Sequence, residues 1–173
     1  MKTTSLLMGR TGFAIGAALC AALLGYGYFL QYVQGLQPCP LCMVQRGFFF
    51  LLFAAFALGA VHNPGRLGTW VYSAAALFFA AGGAATASRQ VWLQGLPPDK
   101  VPQCGPDLFF MLENFPLVRT LQNLFYGSGE CAAVDWKFLG LSIAGWALVW
   151  FVALGLYAAW LAFSKSFRTV GRM

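Results

Sequence analysis

Residues 11–33 read TGFAIGAALCAALLGYGYFLQYV, a stretch that contains no charged side chain. A helix needs about 20 consecutive apolar residues to cross the hydrocarbon core of a bilayer. Since lipid offers no hydrogen-bond partner to the backbone, such a stretch is helical in a membrane in spite of its glycines. A signal peptide is the alternative, but its apolar region spans only about 7–15 residues, and no clear cleavage site follows this run. The stretch therefore predicts a retained transmembrane helix.

Three further stretches without charge follow along the chain, at residues 47–65, 67–88 and 138–164. With the first stretch, they predict membrane-spanning helices at 11–33, 41–61, 67–88 and 138–163. The composition agrees, because 60% of the residues are hydrophobic, 9% are charged and the mean hydropathy is +0.68. A soluble protein is about 25% charged. We therefore exclude a soluble domain and expect residues 1–173 to form a single integral membrane domain, an all-α bundle of four transmembrane helices.

Basic residues are unevenly distributed between the two sides of this topology. The termini and the connection between the second and third helices carry six basic and no acidic residues: Lys2, Arg10, Arg66, Lys165, Arg168 and Arg172. The opposite side holds the loop 89–137, which contains all five acidic residues. The positive-inside rule predicts that both termini are cytoplasmic. The net charge of +6 thus reflects membrane topology and does not indicate nucleic-acid binding; the expected surroundings are lipid.

The outer loop 89–137 is long enough to suggest a function. Residues 107–126 within it are rich in large apolar side chains, yet too polar to span a membrane. We expect a short amphipathic helix there, interrupted near Pro116 and lying on the outer membrane surface. Simple packing of this segment onto the bundle is the alternative. Several prolines and glycines in residues 94–105 predict that Cys104 lies on an exposed, irregular segment.

Four of the five cysteines fall on the outer side of the membrane: Cys39, Cys42, Cys104 and Cys131. Four cysteines allow three disulfide pairings. A Cys39–Cys42 disulfide is the most economical, because these residues form a Cys-x-x-Cys motif, and it leaves Cys104 to pair with Cys131. The fifth cysteine, Cys20, lies in the middle of the first predicted helix, where a cysteine usually acts as a small apolar residue.

A redox function is the favoured interpretation of these cysteines. A disulfide across two residues closes a very small loop and removes little chain entropy, so Cys39–Cys42 is a poor structural crosslink. A structural crosslink is a stronger alternative for Cys104–Cys131, which would close a long loop. A zinc site is disfavoured, and we predict no metal, because Cys104 and Cys131 lack the close paired spacing of zinc ligands.

The cysteine pair is predicted at the start of the second helix. Pro40 suits the first position of a helix, so Cys39 and Cys42 lie where the helix dipole favours the thiolate. Arg46 follows Cys42 by one helical turn on the same face, and it is the only charged residue in the first two predicted helices. It could snorkel to the interface. The adjacent cysteines favour a second interpretation, in which Arg46 stabilises a thiolate or a developing anion at an acceptor in the membrane.

In combination, these features resemble the disulfide bond formation protein B (DsbB) family, bacterial membrane proteins that reoxidise the thiol oxidase DsbA with quinone. The resemblance covers essentially the whole chain. It rests on three motifs: Pro38-Cys39-x-x-Cys42-x-x-x-Arg46, Trp92-Leu93-Gln94 before Cys104, and Cys131-Ala132 followed by Trp136-x-Phe138-Leu139-Gly140-Leu141.

The resemblance implies a location in the bacterial inner membrane and disulfides Cys39–Cys42 and Cys104–Cys131 in the periplasm. It also implies that a DsbA-like partner attacks Cys104, whose disulfide partner is Cys131. Cys39 would then exchange with this loop disulfide, and Cys42 would face a membrane quinone, either ubiquinone or menaquinone.

Two further residues receive roles from the resemblance alone. Arg46 is implied to support the quinone site. Some members of the family carry a histidine near the quinone where this chain has Gln90, which is therefore a candidate for binding the quinone. A glutamine can donate a hydrogen bond but cannot take up a proton at neutral pH, so this chain departs from that pattern.

Two other functions remain open. One is a disulfide-stapled four-span scaffold or adaptor without redox turnover, in which both disulfides are inert and Arg46 is dispensable. The other is a transmembrane thiol conduit that carries reducing equivalents outward. A conduit needs a cysteine pair that is reachable from the cytoplasmic side, and Cys20 alone does not supply one.

Overall fold

The computed structural model describes residues 2–100, 113, 116, 129–132, 134 and 136–170, with the backbone alone at residues 2–9, 98, 129, 130 and 165–170. In chain order its elements are helices α1 (Lys2–Tyr32), α2 (Pro40–His62) and α3 (Arg66–Gln94), a 3-10 turn (Pro98–Lys100), helix α4 (Gly129–Ala132), strands β1 (Lys137–Phe138) and β2 (Leu141–Ser142), and helix α5 (Ile143–Val170). Cys104 and, apart from residues 113 and 116, the predicted surface helix lie outside the described residues.

Among the described residues, four helical segments are long and apolar enough to cross a membrane: Arg10–Tyr32, Pro40–His62, Arg66–Gln94 and Ile143–Ser164. The predicted four-helix fold class is confirmed, and the chain is a multi-pass membrane protein. The bundle is apolar inside and outside, as helices in lipid must be. Phe56 and Phe151 are fully buried, whereas Phe78 and Leu156 expose 72% and 68% of their surfaces on the outside of the bundle.

Helix α2 begins where the sequence predicts. Cys39 is its N-cap, with an extended backbone (φ −69°, ψ 164°), and Pro40 follows in the first turn. A proline is tolerated there because the first N–H groups of a helix have no partner within the helix. The helix ends at His62, and Asn63 caps it in the left-handed conformation with φ 42°. The cysteine pair is therefore attached to the rigid end of a membrane helix.

Helix α3 is longer than predicted and reaches Gln94 instead of residue 88. The charge of Arg89 predicts the end of the span, but its guanidinium stacks over the Trp92 ring at 4.2 Å, and Leu93 one turn further is fully buried. The charge is thus accommodated on the flank of a continuing helix. As a result Gln90 lies on a membrane helix and not in a loop.

Helix α5 starts later than predicted, at Ile143 instead of residue 138. The preceding residues form a hairpin in which Lys137 pairs with Ser142 and Phe138 with Leu141. Its two turn residues both have positive φ, 51° at Leu139 and 81° at Gly140, as a tight two-residue hairpin turn requires. At the other end of the chain, α1 already begins at Lys2, ahead of its membrane-spanning part.

Helices α3 and α5 pack closely against each other, next to the functional site described below. A Cβ atom added at Gly83 would lie 2.2 Å from the Phe151 ring, so a glycine is required for these two helices to approach so closely. Phe151 in turn stacks on Phe49 of α2, with ring centroids 4.0 Å apart. Phe49 lines the cavity described below, so this packing fixes one wall of the site.

Candidate functional site

The sulfur atoms of the Cys-x-x-Cys motif lie side by side at the N-terminal end of α2. Cys39 Sγ and Cys42 Sγ are 3.1 Å apart and form a hydrogen-bonded pair of thiols. Cys39, as the N-cap, and Cys42, in the first turn, are brought together by the helix itself. Cys39 is buried and Cys42 is partly exposed, so the pair has one closed and one open side.

Cys131 lies against the same pair. It comes from the short helix α4, is fully buried, and packs in one apolar cluster with Cys39, Leu41 and Leu93. Hydrogen bonding to Cys131 and to Cys42, together with burial, raises the pKa of the Cys39 thiol well above its usual range. The helix end alone predicted a thiolate at both positions; for Cys39 the neighbouring sulfurs and the burial favour the neutral thiol instead.

The predicted disulfide between Cys104 and Cys131 stays a prediction, because Cys104 lies outside the residues that the structure describes. The structure adds a contact that the sequence did not indicate, the one between Cys131 and Cys39. The two predicted cysteine pairs therefore approach each other through Cys39 and Cys131. Such an approach is the geometry that thiol–disulfide exchange between the pairs needs.

Gln90 contacts both sulfurs of the motif. Its Nε2 lies 3.3 Å from Cys39 Sγ and 3.2 Å from Cys42 Sγ, while its Oε1 is 3.5 Å from Cys42 Sγ. The side chain is 4% exposed. The family resemblance implies that Gln90 lies near a quinone. Gln90 is not, however, among the described residues that line the large cavity of the site. It lines a smaller crevice together with Cys39 and Cys42.

Gln45 is a site residue that the sequence reading missed. Its Nε2 donates a 2.7 Å hydrogen bond to Gln90 Oε1, and it is as buried as Gln90. One signal could have identified it: an uncharged polar residue that lies in a membrane helix, about one turn after Cys42, needs a partner inside the bundle. Its partner is 45 residues away along the chain, which the sequence does not reveal.

A cavity of about 330 Å³ opens on the other side of Cys42. Its walls come from α1, from the turn before α2, from α2, and from the segment around the hairpin and the start of α5, and many of its lining side chains are aromatic: Tyr26, Phe49, Trp136, Phe138, Trp146 and Trp150. Cys42, Gln45 and Arg46 supply polar atoms to the same lining. A large apolar space with a few polar groups is typical of a site for a small molecule.

Arg46 lies on the cavity wall one turn beyond Cys42, as the spacing predicts. Its guanidinium donates hydrogen bonds to Gln31 Oε1 and, at 3.0 Å, to the carbonyl oxygen of Gly27, both in α1. It also lies over the Tyr28 ring, 5.0 Å from the centroid. These contacts hold the cation inside the bundle instead of letting it snorkel to the interface. The guanidinium therefore places a fixed positive charge next to the cavity.

Cys20 is separate from this site. It is fully buried in the apolar core, among residues such as Phe56 and Leu24, and agrees with the prediction of a small apolar residue. The site thus comprises Cys39, Cys42, Cys131, Gln45 and Gln90 on one side, and Arg46 with the aromatic cavity on the other. Cys42 belongs to both parts.

Comparison with known proteins identifies the family. The family model described as disulfide bond formation protein DsbB matches residues 9–161. The disulfide bond formation protein B of Hahella chejuensis (strain KCTC 2396) is 49% identical over 154 residues, which are 89% of this chain and 92% of the relative. That of Azoarcus sp. (strain BH72) is 46% identical over 151 residues, 87% of this chain and 90% of the relative.

The match covers the first three membrane-spanning segments, most of the fourth, and the cysteine site at the start of α2. The names of the relatives place them in disulfide bond formation, which agrees with three cysteine sulfurs gathered in one buried cluster. The chain therefore belongs to the disulfide bond formation protein B family, as a membrane-embedded disulfide oxidoreductase.

Proposed function

We propose that this protein oxidises the dithiol of a DsbA-like periplasmic partner and passes the electrons through its two cysteine pairs to a membrane quinone. One observation carries the proposal: Cys131, Cys39 and Cys42 form a continuous line of sulfurs that ends at an aromatic cavity beside a fixed cation, Arg46. A structural crosslink would not need such a line, and it would not need a cavity at its end.

The relay consists of two exchanges between cysteine pairs and a final oxidation by quinone, and each step balances. A thiolate of the partner attacks Cys104 and forms a mixed disulfide, releasing Cys131 as a thiol; the second partner thiol then breaks the mixed disulfide and leaves the partner oxidised. The two thiols of Cys104 and Cys131 next reduce the Cys39–Cys42 disulfide through a bond between Cys131 and Cys39. The contact between these last two residues supports this step.

The final step removes two electrons and two protons from the Cys39 and Cys42 thiols and restores their disulfide. A DsbA-type partner is itself a strong oxidant, with a reduction potential of about −120 mV, so the terminal acceptor must be more oxidising still. A bound quinone supplies a two-electron, two-proton acceptor of this kind. Cys42 is the donor, because it is the cysteine of the pair that lines the cavity.

The lining of the cavity fits a quinone. Its aromatic walls suit a flat apolar ring, and Arg46 supplies hydrogen-bond donors for a ring oxygen. Arg46 would hold one oxygen and stabilise the negative charge that develops on it during reduction. The contacts of Arg46 with Gln31 and Gly27 fix the guanidinium beforehand, so that little reorganisation is needed when charge appears.

We place the protein in the bacterial inner membrane with both termini in the cytoplasm and the cysteine site at the periplasmic surface. The six basic residues on the side of the termini support this orientation. Reporter fusions after Gly65 and Met173 are expected to give cytoplasmic signals, and a fusion at Gly127 a periplasmic one. A cytoplasmic signal at Gly127 would reverse the orientation.

The function is tested with purified protein in detergent, a reduced DsbA-like dithiol and a quinone analogue, with quinone absorbance followed over time. Ubiquinone and menaquinone analogues are compared in parallel to identify the quinone. We expect loss of quinone absorbance that depends on both the dithiol and this protein. No turnover with any quinone, while both disulfides stay intact, would favour the disulfide-stapled scaffold instead.

A trapping experiment tests the entry point. Cys131→Ala leaves the Cys104 thiol unpaired, so we expect it to lower turnover and to allow a stable mixed disulfide with a partner variant that keeps only its attacking cysteine. That cysteine is first joined to a small thiol, which leaves when Cys104 forms the mixed disulfide. Peptide mass spectrometry should locate the adduct at Cys104. An adduct at Cys39 would show that the partner enters at the membrane pair and bypasses the loop.

A further inference from the structure

The bundle contains two buried amide side chains that meet across a helix interface. Gln45 on α2 and Gln90 on α3 are each 4% exposed, and their hydrogen bond of 2.7 Å joins the two helices. The buried threonines that the structure describes, Thr69 and Thr86, bond instead to backbone carbonyls of nearby residues. The amide pair is therefore not a routine way of satisfying polar atoms in this bundle.

The Gln45 contact fixes the orientation of the Gln90 amide. Gln90 Oε1 accepts from Gln45 Nε2, so the NH₂ group of Gln90 must point the other way, toward the cysteines. With Gln45 oriented as in the structure, reversing the Gln90 amide alone would bring two NH₂ donors together at 2.7 Å and leave the bond unmade. In the observed orientation one NH₂ group faces two sulfurs, at 3.3 Å and 3.2 Å.

We propose that Gln90 is a catalytic residue whose NH₂ group stabilises the reduced sulfurs of Cys39 and Cys42, and that Gln45 is a positioning residue that orients it. The inference rests on the proposed function, because it assigns a task to the same cysteine pair. It gives Gln90 a role at the sulfurs, in place of the role at the quinone that the family resemblance implied.

The expected consequence is a more oxidising cysteine pair. A reduced sulfur, above all a thiolate, is a better hydrogen-bond acceptor than a disulfide sulfur, so the donors favour the reduced form. Stabilising the reduced form of a dithiol makes its disulfide a stronger oxidant. Because an amide does not titrate, Gln90 can stabilise the reduced sulfurs without taking up the protons that leave the thiols. A membrane protein that must reoxidise a strong oxidant needs such stabilisation.

The test is a redox equilibrium of the full-length protein in detergent, with no quinone added. The protein is equilibrated in glutathione buffers, where two glutathione thiols become one glutathione disulfide for each Cys39–Cys42 disulfide reduced. Acid quenching, alkylation and mass spectrometry of the peptide that contains both cysteines give the reduced fraction. Gln90→Leu should shift the equilibrium toward the disulfide by about tenfold, which corresponds to about 30 mV.

Gln45→Leu should have a smaller effect in the same direction, about threefold, because Gln90 keeps its donors but loses their orientation. The double variant should be no worse than Gln90→Leu alone, since Gln45 acts only through Gln90. Gln34→Leu is the matched control: Gln34 is exposed and lines neither the cavity nor the crevice at the cysteines, so its loss should leave the equilibrium unchanged.

Gln90→His is included in case Gln90→Leu does not fold, because an imidazole keeps an N–H donor and should stay close to the wild type. An unchanged equilibrium in Gln90→Leu would overturn the proposal, and so would additive effects of the two single variants. These outcomes are independent of quinone turnover. If the wild type reduces quinone, and the Cys39–Cys42 pair of Gln90→Leu has the same reduction potential as that of the wild type, only the proposal for the amide fails. If the wild type does not reduce quinone, only the proposed function fails.

Discussion

Two regions of different character meet at Cys42. On one side is the sulfur cluster, formed by Cys39, Cys42, Cys131 and Gln90, which is closely packed. On the other side is a cavity of about 330 Å³ with aromatic walls and the guanidinium of Arg46. In the sulfur cluster, the uncharged amide of Gln90 contacts the sulfur atoms. In the cavity, the permanent positive charge of Arg46 faces an open space.

The difference follows from what each region has to stabilise. Exchange between cysteine pairs moves bonds among sulfurs that are already in contact, so a dense cluster with neutral donors is sufficient. Electron transfer to a small molecule requires room for it and a charge where negative charge develops. The contrast predicts that changes in the cluster alter thiol equilibria, whereas changes around the cavity alter the use of quinone.

Cys42 should be the most sensitive position, because it is the cysteine of the cluster that also lines the cavity. Cys42→Ala is expected to lower dithiol-dependent quinone reduction by about three orders of magnitude or more, since the covalent relay is interrupted. Cys20→Ala is the control, because Cys20 lies buried in the apolar core, and its turnover should stay at the level of the wild type. Substantial turnover of Cys42→Ala would mean that electrons leave the cluster by another cysteine.

Arg46 should come next, with an effect confined to the cavity. Arg46→Ala removes a charge-assisted hydrogen bond, so the quinone KM should rise, or turnover fall, by about 10- to 100-fold. Arg46→Lys should recover only part of the loss, because it lacks the planar fork. Mixed-disulfide formation at Cys104 should continue in both variants.

The control for this charge is Arg89→Ala, which removes a cation that stacks on Trp92, away from the cavity lining. Its quinone kinetics should match those of the wild type across all quinone concentrations. If Arg46→Ala behaved in the same way, Arg46 would be an interfacial anchor, and the cavity would lack the function assigned to its charge.

A smaller effect is expected at Gln31, which holds the Arg46 guanidinium from α1. Gln31→Leu leaves the bond to Gly27 and the contact with the Tyr28 ring, so the quinone KM should rise by only about fivefold. Gln34→Leu is the matched control, because Gln34 is exposed and lies just after the end of α1. Equal effects of the two variants would show that Gln31 does not position the arginine.

The smallest effect on the reaction is expected at Gly83, which does not line the cavity but packs on Phe151, the residue that stacks on the lining residue Phe49. A methyl group there would lie 2.2 Å from the Phe151 ring, so Gly83→Ala should lower the free energy of unfolding by about 1–3 kcal/mol. The rate per folded molecule should stay the same if Phe49 keeps its place. Gly25→Ala adds a methyl group in open space and should be neutral or slightly stabilising in a thermal unfolding assay. Equal melting temperatures of the two variants would contradict the packing described.

The sequence by itself determined the membrane helices and the local part of the site. A long stretch without charge forms a helix in lipid, because only a helix pairs the backbone N–H and C=O groups of a single segment with one another. This predicted the four spans. The period of 3.6 residues likewise placed Cys42 and Arg46 on one helix face. Both predictions depend only on residues close together in the chain, or on the solvent around them.

Only the tertiary structure decided which distant residues share the site. Gln90 reaches Cys42 across 48 residues of sequence, and Cys131 reaches Cys39 from a separate short helix. The position of Gln45 in a membrane helix indicates that it needs a partner, but only the structure identifies that partner as Gln90, 45 residues away. Such contacts depend on how α2, α3 and α4 pack against one another, and helix periodicity carries no information on which face of one helix meets another.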